Sequence, residues 1–129
     1  MAQKQIIDPG FGWEKAFGFS QAVRAGDFLF LAGQLPADAS GTLVGAGDIR
    51  AQTRKTFENI TAVLAAAGSS LDDIVELVSY HTDMADLGAV AEVKAEYLSK
   101  DFPAWTALGV AALAFPGQLI EIKVVALAH

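Results

Sequence analysis

Apolar and polar positions change period several times along this chain, and each change marks an element. Ala16 to Val23 and Phe28 to Gln34 are short β-type runs separated by Arg24-Ala25-Gly26-Asp27. Gly26 can take the positive φ of a tight turn, so the two runs are expected to form a hairpin. Pro36 to Gly47 is rich in Gly, Ala and Asp and reads as a surface loop. Asp48 is then a good N-cap, and Ile49, Phe57, Ile60, Val63, Leu64 and Ala67 follow at near-helical spacing until Gly68 stops the helix. Ser70 with Asp73 has the form of a capping pair before a strand over Ile74 to Thr82. Its alternation sets Ile74, Glu76, Val78, Tyr80 and Thr82 on one face and Val75, Leu77, Ser79, His81 and Asp83 on the other.

Leu87, Val90, Val93, Tyr97 and Leu98 place a second amphipathic helix over about Asp86 to Ser99, and Pro103 bars its continuation. Trp105 to Leu113 and Leu119 to Leu127 are the last two strands, joined through Pro116 and Gly117. The order ββαβαββ predicts an α+β layer with both helices on one face of the sheet.

Composition narrows what this layer can do. With 129 residues the chain is the size of one domain, residues 1 to 129, and 53% hydrophobic against 19% charged residues is too apolar for disorder. The net charge of −6 sets long-range electrostatics against nucleic acid and anionic membrane. Without cysteine there is no disulfide, thiolate metal site or cysteine nucleophile. Met1 to Gly10 lacks the apolar core of a signal peptide, and Thr106, Gly109, Pro116, Gly117 and Gln118 interrupt the apolar stretch from Ala104 to Ile120. A cytoplasmic protein is expected.

Phe19-Ser20-Gln21-Ala22, then Gly26-Asp27 leading into Phe30-Leu31-Ala32-Gly33-Gln34-Leu35-Pro36, resemble the opening signature of the YjgF family, also called the reactive intermediate deaminase or liver perchloric-acid-soluble protein family. Gln52 to Gly68, Asp72-Asp73-Ile74-Val75 and Ile120-Glu121-Ile122-Lys123 extend the resemblance over essentially the whole chain. The resemblance implies a chorismate-mutase-like α+β protomer in a homotrimer with clefts between subunits. It also implies hydrolysis of a reactive imine or enamine, such as 2-aminoacrylate, to a keto acid and ammonia, with no cofactor. In that reading a glutamate on the last strand, here Glu121, orients water, and an arginine grips the substrate carboxylate. The arginine position is occupied by Trp105. The family's site tyrosine falls on Phe19, its serine on Ala32 beside Gly33, and its cysteine on Ala107. Trp105-Thr106-Ala107-Leu108-Gly109-Val110 and Ser79-Tyr80-His81-Thr82-Asp83 are similar to the YjgH subgroup.

Each candidate has a plainer alternative. Indole has one donor and no charge, so Trp105 cannot replace a guanidinium; it either lines the cleft and stacks on an apolar ligand or packs in a core or subunit contact. Glu121 is either the base for water or an exposed partner of Lys123. His81 is a cleft donor or acid, or a histidine satisfied at a subunit contact. Ser79, His81 and Asp83 share a strand face, but residues about 6.6 Å apart along a strand point in parallel, which disfavours a triad. His81 and Asp83 lack further ligands for a metal. Gly45-Ala46-Gly47 lacks the spacing of a phosphate-binding loop, and no basic aromatic stripe supports a ribonuclease. Two functions remain: an imine or enamine hydrolase of altered specificity, and a non-catalytic metabolite-binding or regulatory trimer.

Overall fold

The computed structural model describes residues 2–129; Met1, the first residue of the stretch weighed as a signal peptide, lies outside the described residues. Six strands form one mixed sheet: β1 Lys4–Ile7, β2 Ala22–Ala25, β3 Phe28–Leu31, β4 Ile74–His81, β5 Ala104–Gly109 and β6 Ile120–Leu127, in spatial order β1-β2-β3-β6-β4-β5. Only β4 and β5 pair in parallel. Their connection carries the second of two helices, α1 Ile49–Ala66 and α2 Leu87–Tyr97. A parallel pair needs such a crossover because the chain must return to the same end of the sheet.

The hairpin forms between β2 and β3, with Ala25 opposite Phe28 and Gly26 at φ 60°, so the turn is only two residues long. The first strand starts later than its apolar run, because Trp13–Phe17 is a 3-10 turn. The ββαβαββ order gains a strand at its front: β1 adds to the edge of β2, with Ile6 opposite Val23. Asp48 caps α1 by accepting from the N–H groups of Arg50 and Ala51, each at 3.1 Å. Ser70 and Asp73 form the reciprocal capping box. β5 is shorter than its apolar stretch, and beyond its final rung, Val110 N–H to His81 C=O at 2.9 Å, the chain leaves the sheet.

The core lies between the helices and one sheet face. Phe57, Ile60, Val63 and Leu64 of α1 and Val90 of α2 bury against Leu77, Ile120, Ile122 and Val124. Phe57 and Tyr97 stack at 4.9 Å where the helices meet. Register assigns the faces. Leu77, Ser79 and His81 stand opposite Val124, Ile122 and Ile120 on the helix-covered side, and Val78 and Tyr80 stand opposite Lys123 and Glu121 on the open side. The register shifts between Ile74 and Glu76, which turns Ile74 inward as well, so it leaves the face of Glu76, Val78 and Tyr80 and joins Leu77 in the core.

The open face is apolar. Ile6, Phe28, Phe30 and Leu127 are large exposed hydrophobic side chains there, and cross-strand register brings Ile6, Val23 and Phe30 into one row. No helix of the described residues is long and apolar enough to cross a membrane.

Candidate functional site

Among the described residues, Glu121 is the only charged one lining an open pocket of about 300 Å³ on the uncovered face. Its neighbours come from three places. Ala32, Gly33 and Leu35 follow β3, Trp13, Phe17 and Phe19 come from the 3-10 turn and its exit, and Ala114 and Phe115 belong to the β5–β6 loop. The aromatic rings meet edge to face: Trp13 lies 5.4 Å from Phe19, 5.9 Å from Phe17 and 6.3 Å from Phe115, and Phe17 lies 6.2 Å from Phe115.

The Glu121 carboxylate lies against the backbone of Gly33. A Cβ at position 33 would overlap Oε2, so only glycine leaves room for the acid in this pose. Burial pushes the Glu121 carboxyl above the ordinary carboxylate range, and a hydrogen bond from the Gln118 amide at 3.3 Å partly opposes that rise. Glu121 does not pair with Lys123. Gln118 also accepts from the Phe115 N–H at 3.3 Å and donates to the Ile120 carbonyl, so it ties the aromatic wall to the acid.

Gln52 anchors the same loop from below. Fully buried, it donates to the Gly117 carbonyl at 2.9 Å and the Gly45 carbonyl at 3.2 Å, and accepts from the Leu119 N–H at 2.8 Å. The Gly45-Ala46-Gly47 loop is therefore an acceptor and a lead-in to the Asp48 cap.

Of the residues singled out from sequence, Phe19, Ala32, Gly33 and Glu121 meet in this pocket. Trp105, Ala107 and His81 do not join them within one protomer. Trp105 and Ala107 on the edge strand β5 stand beside Leu77 and Ser79, on the helix-covered side. The Trp105 indole donates to Ser79 Oγ at 2.8 Å, and the Lys94 ammonium of α2 sits 4.7 Å from the Trp105 ring centroid and 5.4 Å from that of Phe102.

Ser79 Oγ also lies 2.7 Å from His81 Nε2, with both residues fully buried. Side chains in parallel on one strand thus do touch. They form no triad, because Asp83 turns away and accepts from the Ala85 N–H at the start of a 3-10 turn. An indole N–H can only donate, so Ser79 Oγ accepts from Trp105, and the direction of its bond with His81 Nε2 is set by the imidazole tautomer. His81 Nδ1 is buried with no partner among the described residues. Burial lowers the His81 pKa, against a smaller opposing effect of Asp86.

Sequence reasoning missed Trp13, Phe17, Leu35, Ala114, Phe115 and Gln118. The density of aromatics in Phe11 to Phe19 was the available signal, since four fall within nine residues. Among the described residues no three His, Asp or Glu gather to hold a metal ion.

The sheet, its two helices and this pocket define a family. The model of the family described as Endoribonuclease L-PSP matches residues 13–128, and the chain belongs to that family. It is 45% identical over 108 residues to the RutC family protein PH0854 of Pyrococcus horikoshii, covering 84% of this chain and 85% of that one. It is 43% identical over 110 residues to the RutC family protein YjgH of Escherichia coli, covering 84% and 81%. Among solved structures, YyfA of Yersinia pestis, described as a protein of unknown function of the conserved Rid protein family, superposes with a TM-score of 0.90 at 34% identity over 98% of this chain and all of that one.

Proposed function

We propose that this protein is an imine or enamine hydrolase of altered substrate specificity, working as a homotrimer. The observation that carries the reading is the Glu121 carboxylate, half-buried at the Gly33 backbone and raised in pKa by burial. A base of that kind is suited to take a proton from water as its oxygen bonds to an imine carbon. The C=N π pair moves to nitrogen and a carbinolamine forms. Return of the proton to nitrogen completes the carbinolamine, and a second proton carried from its hydroxyl to nitrogen lets ammonia leave as the carbonyl forms.

The assembly is supported by the open sheet face. Exposed Ile6, Phe28, Phe30 and Leu127 form an apolar surface that copies of the chain would bury, and the number three follows the family resemblance. A neighbouring copy that offers its β5 edge would bring Trp105 and Ala107 toward the Glu121 pocket. Nucleic acid fits poorly, because the pocket is lined by an acid and by no lysine or arginine.

The test is ammonia release from freshly generated imines by the purified protein, with light scattering to count subunits. Turnover that Glu121→Gln abolishes supports the hydrolase. A small molecule that co-purifies and is retained unchanged would instead favour the binding trimer, toward which the engagement of Trp105 by Ser79 and Lys94 points. A monomer in solution would remove the intersubunit cleft.

A further inference from the structure

We infer that Lys94, carried on the ring of Trp105, is the anion-binding residue of the intersubunit cleft, and that the site takes ligands with an apolar body and a compact anionic head. The inference rests on the trimeric reading above for the arrangement of the copies. Lys94 belongs to the last turn of α2, and among the described residues no carboxylate pairs with it. The helix explains why. Side chains three and four residues apart are neighbours on a helix, and those of Lys94 are Val90, Ala91, Tyr97 and Leu98, none of them acidic. Glu92 and Glu96, two residues away on either side, are taken by Arg50 at 2.6 Å and Arg54 at 2.9 Å on α1.

The ammonium rests instead on two rings, 4.7 Å from the Trp105 centroid and 5.4 Å from that of Phe102. A ring holds a cation through its quadrupole and leaves the N–H donors of the ammonium available to an anion. The indole is itself fixed, because its N–H is given to the buried Ser79 hydroxyl. Any surface that meets the indole therefore meets the ammonium as well, and in the proposed trimer that surface is the Glu121 pocket of the next copy. The assembled cleft then carries Glu121 from one copy and Lys94 from its neighbour. An anionic head at Lys94 leaves the apolar body between Trp105 and the aromatic wall of Phe17, Phe19 and Phe115, with the reacting C=N toward Glu121. An ammonium is a point charge without the planar fork of a guanidinium, so it selects the head by charge rather than by shape.

Calorimetry on the intact protein with 3-phenylpropanamide, 3-phenylpropanoate and 2-phenylethanesulfonate tests the recognition. The three share a phenyl body and differ in the head. Both anions should bind roughly tenfold or more tightly than the amide. Lys94→Met keeps a straight stem on the ring and removes the charge, so it should erase that gap, whereas Lys94→Arg should keep it. Light scattering checks that each variant remains assembled. An anion preference that survives Lys94→Met overturns the inference, as does equal binding of the amide by the wild type.

Mixed trimers test delivery from the neighbour. Lys94→Met and Glu121→Gln chains, each impaired alone, are co-expressed in equal amounts and assayed on the imine generated by oxidising phenylalanine. Random assembly makes about three quarters of the rings mixed, and each mixed ring has a single cleft with both native residues, so about a quarter of wild-type turnover should return. If one copy supplied both groups no cleft would recover, and the inference falls. Turnover indifferent to Lys94→Met also refutes it while the hydrolase stands. No turnover by the wild type, with the Lys94-dependent binding preference intact, refutes the hydrolase and leaves the recognition in place.

Discussion

Trp105 and Glu121 lie on opposite faces of one sheet. The first stands beside Leu77 on the side the helices cover, and the second stands opposite Tyr80 on the side they leave open. Each has its own supporting cast. Trp105 belongs to a buried polar chain through Ser79 to His81, and Glu121 to an aromatic pocket held by Gln118 and Gln52. Substitutions at the two should therefore be nearly independent inside a protomer, and any strong coupling of their effects on turnover would have to arise between copies.

Glu121→Gln should lower kcat by about 10²- to 10⁴-fold while leaving ligand affinity within severalfold, provided the ligand is uncharged. The wild-type kcat/KM should fall on its acid limb at a pH above the ordinary carboxylate range, because burial raises this pKa. The stability sign follows from the same shift. The protonated form suits the folded state, so the stabilising contribution is complete below the unfolded pKa and is lost as pH rises through the folded one. Glu121→Gln should consequently melt higher than wild type near pH 8 and lose that advantage in acid, as read by calorimetry.

His81 carries the opposite sign. Its folded pKa is depressed by burial, so its contribution is present above the unfolded value of about 6.5 and is lost as pH falls through the folded value. Denaturant titrations between pH 7.5 and 5 are expected to show a loss of stability, on the order of one proton's linkage, that His81→Asn lacks. The same slope in wild type and variant would assign the acid sensitivity elsewhere.

Trp105→Phe keeps the ring and removes the N–H. The Ser79 hydroxyl then loses its donor, and the cost should be about 0.5 to 1.5 kcal/mol in urea unfolding. Combining it with Ser79→Ala should cost less than the sum of the two single changes, since both break the same bond.

Trp105→Arg places a guanidinium where the Lys94 ammonium already rests on the indole. The single variant should melt below wild type, and adding Lys94→Gln should recover about 1 kcal/mol of the loss. A Trp105→Arg protein as stable as wild type would mean that Lys94 leaves the ring without cost.

Gln52→Leu fills similar space but leaves the Leu119 N–H and Gly117 carbonyl without partners, a cost of about 2 to 4 kcal/mol. Because those groups hold the loop that carries Phe115, ligand affinity should fall with stability. A variant that unfolds easily yet binds as well as wild type would show that the loop is positioned from elsewhere.

Much of this architecture was legible because local rules and burial agree in it. Asp48, Gly68 and the Ser70–Asp73 pair mark their elements chemically, and α1 shows its period because one face is wholly buried. β1 was not legible: four residues, three of them exposed, leave no alternation to detect. The motif that contains Phe19, Ala32, Gly33 and Glu121 drew half of the pocket. The other half comes from a 3-10 turn and a loop, where no period links Trp13 or Phe115 to Glu121, and only the three-dimensional path of the chain does.

The extra residue near Val75 changes the arithmetic of the strand it interrupts. Before it, inward and outward positions count in one parity; after it, in the other. A point substitution at Ser79 or Tyr80 can only retune the layer that residue already serves. Losing Val75 would leave both layers in place, because Ile74 and Glu76 already stand opposite the adjacent Ala126 and Val125, whereas losing one residue from the regular run after Glu76 would carry the imidazole out to the open side and the phenol in under the helices. The bulge therefore absorbs a change of length that the regular run beyond it would turn into an exchange of chemistry between the two sides.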